Sequence, residues 1–320
     1  MNSNLTSLAL ALLASSAFAQ ETPTDARLKE LERKIEILSK ALEAQKTSST
    51  MPEAGETGSH GLAPAASKVY ESKGGLSIGG YGEMLYENFD SKLQNGTYSP
   101  KTNSIDFVRQ IVYVGYKFND RIVFNSEIEF EHAKTATGSA GEVAVEFAYL
   151  DFLVSPAFNI RAGMMLVPLG FVNELHEPPA YLGAKRPAVE STIIPSTWRE
   201  NGVGVHGEFL GQFSYRAYLM NGLDASKFTA SGIRGARQNG SKAQAESLAL
   251  TGRVDWNVMP GTTLGAGFYT GNSNQAETGE PIRTNLWELH GEYRARGFQV
   301  RGLFTRMKNS EAGLQPLLTT

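Results

Sequence analysis

The residues best placed for chemistry are three carboxylates at alternate positions, Glu127, Glu129 and Glu131, and a later polar cluster of Glu174, His176 and Glu177 followed by Lys185, Arg186 and Arg199. Acids two apart on a strand stand roughly 7 Å from one another, a separation that glycoside hydrolysis can use. Acids repeating with that period also line a wet wall, and this is the commoner use. Gly202, Gly204 and Gly207 have dinucleotide-fingerprint spacing. They run into Glu208-Phe209-Leu210-Gly211-Gln212 instead of a helix, so close backbone approach in a strand is the better reading. The five His are scattered without metal-ligand spacing, and the absence of Cys removes thiolate sites, disulfides and sulfur redox chemistry. No Gly-x-Ser-x-Gly elbow occurs, although a Ser/His/acid set stays open because sequence order does not constrain it. Neither a cofactor nor a metal is expected.

The elements that must hold these residues are strands. Ile122, Phe124, Ser126, Ile128, Phe130 and His132 share one parity, and Val123, Asn125, Glu127, Glu129 and Glu131 share the other. Unpaired carboxylates cannot face a dry core, so the acidic face is wet and the apolar face meets a core or lipid. Eleven strands are expected, near 76–87, 104–118, 121–132, 142–154, 159–169, 202–210, 213–221, 246–258, 262–270, 285–294 and 298–306. Val143, Val145, Phe147 and Tyr149 change parity against Leu150, Phe152 and Val154, which calls for a bulge near Asp151. Tight turns at Asn119-Asp120, Ser155-Pro156-Ala157, Gly211-Gln212, Pro260-Gly261 and Arg296-Gly297 alternate with longer polar loops. That alternation is the pattern of an outer-membrane barrel, with short periplasmic turns and long external loops. A soluble Greek-key sandwich mixes the lengths. Phe118, Phe152, Phe158, Phe213, Trp256, Tyr293 and Phe298 beside the short turns suit an interfacial girdle.

Ahead of the strands, residues 1–19 read as a signal peptide, with an apolar stretch to Phe18 and a small-residue site at Ala17-Phe18-Ala19. Past it, no segment has the roughly 18 apolar residues of a spanning helix, so insertion would be by strands. Residues 20–45 read as a coiled-coil helix on Leu28, Leu31, Ile35, Leu38 and Leu42, capped by Thr24. Residues 46–74, rich in Ser, Gly, Ala, Thr and Pro, read as a flexible linker, and residues 75–320 as the barrel. With 30 basic against 33 acidic residues overall, no bulk charge favours nucleic acid.

Four pieces in this order carry a family resemblance: Gly79-Gly80-Tyr81-Gly82; Phe107-Val108-Arg109; Ala148-Tyr149-Leu150-Asp151-Phe152 leading through Ile160-Arg161-Ala162-Gly163 to Pro168-Leu169-Gly170; and Asn221-Gly222-Leu223. Over residues 75–306 the chain resembles the outer-membrane porins named for phosphate-selective porins O and P, with a coiled-coil prefix similar to that of trimeric dicarboxylate-type porins. The resemblance implies an all-β, transmembrane antiparallel barrel of sixteen strands, usually a homotrimer in membrane lipid, passing small solutes or ions. An odd strand count leaves about five strands to find. With 22 Lys and Arg against 24 Asp and Glu over residues 75–320, phosphate selectivity does not carry over.

Parity places Glu83, Arg109, Glu127, Glu129, Arg161, Arg253, Glu288, Glu292 and Arg301 on the wet face as pore-lining charges. The long stretch 171–199, with Glu174, His176, Glu177, Lys185, Arg186 and Arg199, is expected to fold inward as a constriction loop. The expectation is a porin allowing passive diffusion, not an enzyme, in the outer membrane of a Gram-negative-type bacterium with its N-terminal helix in the periplasm. A barrel-anchored hydrolase and a structural tether to the envelope are the alternatives.

Overall fold

The computed structural model describes residues 27–38, 58–230, 232–275 and 281–310. The signal-peptide stretch, Thr24, Leu42 and residues 311–320 lie outside them. The chain divides into two units, Met1–Pro52 and Glu53–Thr320. In the first, residues 27–38 are helical (α1) and expose Leu28, Leu31, Ile35 and Leu38.

The second unit is a single antiparallel sheet of eleven strands: β1 (Gly75–Glu87), β2 (Ser104–Asn119), β3 (Ile122–Glu131), β4 (Val143–Ser155), β5 (Phe158–Leu166), β6 (Arg199–Phe209), β7 (Phe213–Asn221), β8 (Leu248–Met259), β9 (Thr262–Asn272), β10 (Arg283–Ala295) and β11 (Phe298–Asn309). Each strand pairs with its sequence neighbours, in the order β1 to β11. The expected strands are all present, with ends moved by a few residues, and the connections alternate short and long as the turn residues required. The bulge falls at Glu146, not near Asp151. Glu127 pairs with Phe147 while Ile128 pairs with Val145, so Glu146 is the extra residue. Phe147 and Tyr149 thereby turn inward to a buried aromatic stack, which burying large rings favours.

One face of the sheet is apolar and exposed. On β1, Leu76, Ile78, Met84 and Tyr86 point outward, and Val300 and Phe304 do so on β11. Near the short turns Phe209, Phe213 and Trp256 stack with ring centroids 5.1 and 5.9 Å apart. The other face is concave. Glu177 accepts a hydrogen bond from Tyr113 of β2 at 3.1 Å, while the carbonyl of Ala180 accepts one from Arg301 of β11 at 2.5 Å. A flat sheet would hold β2 and β11 about 43 Å apart at about 4.8 Å per strand, and three residues reach only about 10 Å. The sheet therefore curls around the segment that joins β5 to β6.

The last part of the expected linker is folded. Pro64–Glu71 forms a helix (α2) that packs on β1, β2 and β3, with Ala66, Ser67 and Val69 buried. Its entry is possible because the side it meets is small: a Cβ on Gly115 would lie 2.6 Å from the Val69 side chain. The Gly202–Gly207 stretch lies inside β6, whose next turn leads to β7 and not to a helix.

Candidate functional site: the concave face

All nine charges expected to line the wall lie on the concave face, and they are paired there. Arg109 bridges Glu83 and Glu129, each at 2.8 Å. Arg161 pairs with Asp151 at 2.7 Å and lies 4.3 Å from the Tyr149 ring. Arg253 binds Asp255 at 2.8 Å and approaches His290 at 2.9 Å, and His290 in turn meets Glu288 at 2.8 Å. Arg301 pairs with Glu292 at 2.5 Å and sits 5.1 Å from the Phe171 ring. Removing one partner from such a buried pair leaves an uncompensated charge, so each pair is held as a unit.

Residues 167–198 fill the middle of this face. Burying Val167, Leu169, Val172, Ile194 and Trp198 supplies the apolar anchor, and Asn173 fixes the base of the loop by donating to the carbonyls of Val167 and Trp198 at 2.7 and 2.9 Å. Charged side chains then fix its position. Glu174 meets Arg216 at 3.1 Å, and His176 meets Glu127 at 3.0 Å. Glu177 accepts from the Ala66 amide at 3.2 Å as well as from Tyr113. Burial raises the pKa of Glu174 and of Glu177 above the ordinary carboxylate range, against Arg216 in the first case and the hydroxyl of Tyr113 in the second. Burial alone would lower His176, yet Glu127 against its ring holds it above the ordinary histidine value.

The remaining three loop charges are placed differently from one another. Lys185 is exposed and pairs with Glu87. Arg186 donates to the Tyr181 hydroxyl at 2.8 Å. Arg199 is not a loop residue: it begins β6 and is buried against Glu146 at 2.7 Å. Trp198 is fully buried just before it, which ends the loop one residue earlier than the sequence spacing indicates. The neighbouring long loop after β7 locks onto this one, since Arg237 donates to the carbonyls of Pro195 and Thr197 at 2.8 and 2.7 Å.

Toward the short turns the concave face opens into a cavity of about 940 Å³. Its wall mixes signs, with Arg216, Arg253, Arg294 and Arg301 beside Glu174, Asp255 and Glu292. Sequence reasoning missed Asp151, His206, Arg216, Asp255 and His290. Their parity was available: Arg216 alternates with Phe213, Tyr215 and Ala217, and His290 shares a face with Glu288 and Glu292. His60, which also lines this cavity, had no such signal, because it precedes the strands.

No family model matches the chain. An uncharacterized protein of Aquifex aeolicus (strain VF5) is 46% identical over 259 residues, which cover 78% of this chain and 57% of that protein. The chain thus spans little more than half the length of this relative. Among solved structures, in-vitro folded OmpT, an outer membrane protein of Vibrio cholerae, aligns over 76% of this chain and 79% of its own with a TM-score of 0.37 and 10% identity. Its trimer form aligns over 75% and 80% with a TM-score of 0.35 and 9% identity. A triple mutant of the Rhodopseudomonas blastica porin aligns over 72% and 94%, with a TM-score of 0.25 and 11% identity.

Proposed function

We propose that the chain is an outer-membrane porin that lets small polar or charged solutes diffuse passively past a constriction made by residues 167–198. The observation that carries this reading is the division of one curled sheet into an exposed apolar face and a charged concave face crossed by an inward-folded loop. Strands of 9 to 16 residues are long enough to cross a bilayer, which needs about 9–11 tilted residues. An apolar outer face is stable against lipid, and ion pairs are stable inside. Because the wall charges neutralise one another, little discrimination between anions and cations follows. Glu127 is committed to His176 and Glu129 to Arg109, which favours transport over a carboxylate-driven turnover. The exposed Leu28, Leu31, Ile35 and Leu38 of α1 supply a seam through which three copies would associate in the periplasm. Liposome swelling tests the reading. Vesicles carrying the protein should admit small neutral and charged solutes at similar rates, and vesicles no leakier than empty ones would refute it.

A further inference from the structure

Three potential metal ligands come from three separate parts of the fold. His60 precedes α2, Asp151 lies on β4 and His206 lies on β6; the ring nitrogens and a carboxylate oxygen all fall within 4.8 Å of one another. Tetrahedral ligands at about 2.1 Å from zinc stand about 3.4 Å apart, so small side-chain rotations close the set. The rings already converge, with His60 and His206 centroids 5.7 Å apart at 89°.

The groups behind these ligands are in place as well. Arg161 and the Tyr70 hydroxyl each bond Asp151 Oδ2 at 2.7 Å, which orients the carboxylate and leaves Oδ1 toward His206 Nε2 at 2.7 Å. The Tyr70 ring packs on His60 with centroids 4.1 Å apart. His60 and His206 also line the 940 Å³ cavity, which gives an ion a path in and water room to complete the coordination. Two imidazoles and one carboxylate suit a zinc-type cation better than calcium or magnesium, which prefer all-oxygen sites.

We infer that His60, Asp151 and His206 bind one zinc-type divalent cation, which ties the N-terminal segment to the wall of the sheet at its short-turn rim. On binding, His206 Nε2 and Asp151 Oδ1 exchange their hydrogen bond for the metal, the Nε2 proton passing to Nδ1 or to water, while Arg161 and Tyr70 keep the other oxygen. The charge on Arg161 moderates the affinity without removing the site.

The full chain, folded in detergent, should be titrated with Zn²⁺ alone against a chromophoric chelator. One saturable equivalent is expected. It should weaken more than about tenfold in His60→Ala and in His206→Gln. It should be unchanged in His132→Ala, whose imidazole pairs with Asp106 elsewhere. His60 lies outside the strands, so His60→Ala should keep the sheet, which circular dichroism checks. Zn²⁺ should also slow proteolysis of residues 58–72 in the wild type but not in His60→Ala. No saturable equivalent, or equal affinity in His60→Ala and the wild type, would overturn the site whether or not the protein conducts.

Discussion

Two segments occupy the concave face, and they are held in different ways. Residues 167–198 are held by side chains: Glu174 on Arg216, His176 on Glu127, and a buried run from Val167 to Trp198. Residues 58–72 bury Leu62 and Val69 and bond Asp151 through Tyr70, but their backbone is gripped as well. Asn125 donates to the Ala66 carbonyl at 2.8 Å, the Ala66 amide donates to Glu177, and Lys117 donates to the Ser72 carbonyl at 3.0 Å. Gly61, at φ +75°, lies where a Cβ would come 2.2 Å from the Arg216 guanidinium. A segment anchored by its side chains advertises itself in sequence; one anchored by its backbone needs small residues and resembles a linker.

The largest effect should come on the wall beneath residues 58–72, where Tyr70 bonds Asp151. Arg161→Met leaves Asp151 buried without its cation, a loss of about 3–5 kcal/mol by analogy with broken buried pairs. Urea unfolding in detergent measures it, and a midpoint unchanged from wild type would show that the pair is not held as a unit.

Separating the segments should cost less. Gly115→Val overlaps Val69 and should expel α2 at about 1–3 kcal/mol. Limited proteolysis should then cut residues 58–72 sooner while the loop and sheet stay protected. Equal exposure of both segments would mean that they form one unit.

The loop should also respond to pH. With the His176 pKa raised above 6.5, its pairing with Glu127 contributes stability that is fully present below 6.5 and is lost as pH rises through the raised value. Hydrogen exchange across residues 172–177 should therefore quicken on the alkaline side, and Glu127→Gln should remove most of that dependence. Lys185→Ala should do least, under about 1 kcal/mol, because its pair with Glu87 is exposed. A loop destabilised by more than this would place Lys185 in the anchor.

Much of this was legible in the sequence. Side-chain alternation in β3 put Glu127 and Glu129 on one face, where the structure buries both, and tight turn residues set the order of the strands. The inward loop was legible from its prolines, its apolar anchors and its length. Partners across the sheet were not, since pairing Arg216 with Glu174 and Asp255 depends on register and curl, which local pattern does not encode. The bulge was assigned to the wrong residue because Phe147 and Tyr149 look lipid-facing by composition, and only the packing of Phe147 against Tyr113, with Tyr149 stacked on Phe147, turns them inward. The helix at Pro64–Glu71 was hidden because Gly, Ala and Ser serve close approach and flexibility equally well.

The most direct test is single-channel conductance in a planar bilayer, comparing the wild type with a chain whose residues 178–188 are replaced by a short Gly/Ser link. We expect discrete ohmic steps with weak ion preference, and larger steps once the loop is shortened. Absence of steps in both proteins, or steps of the same size, would contradict a pore narrowed by residues 167–198.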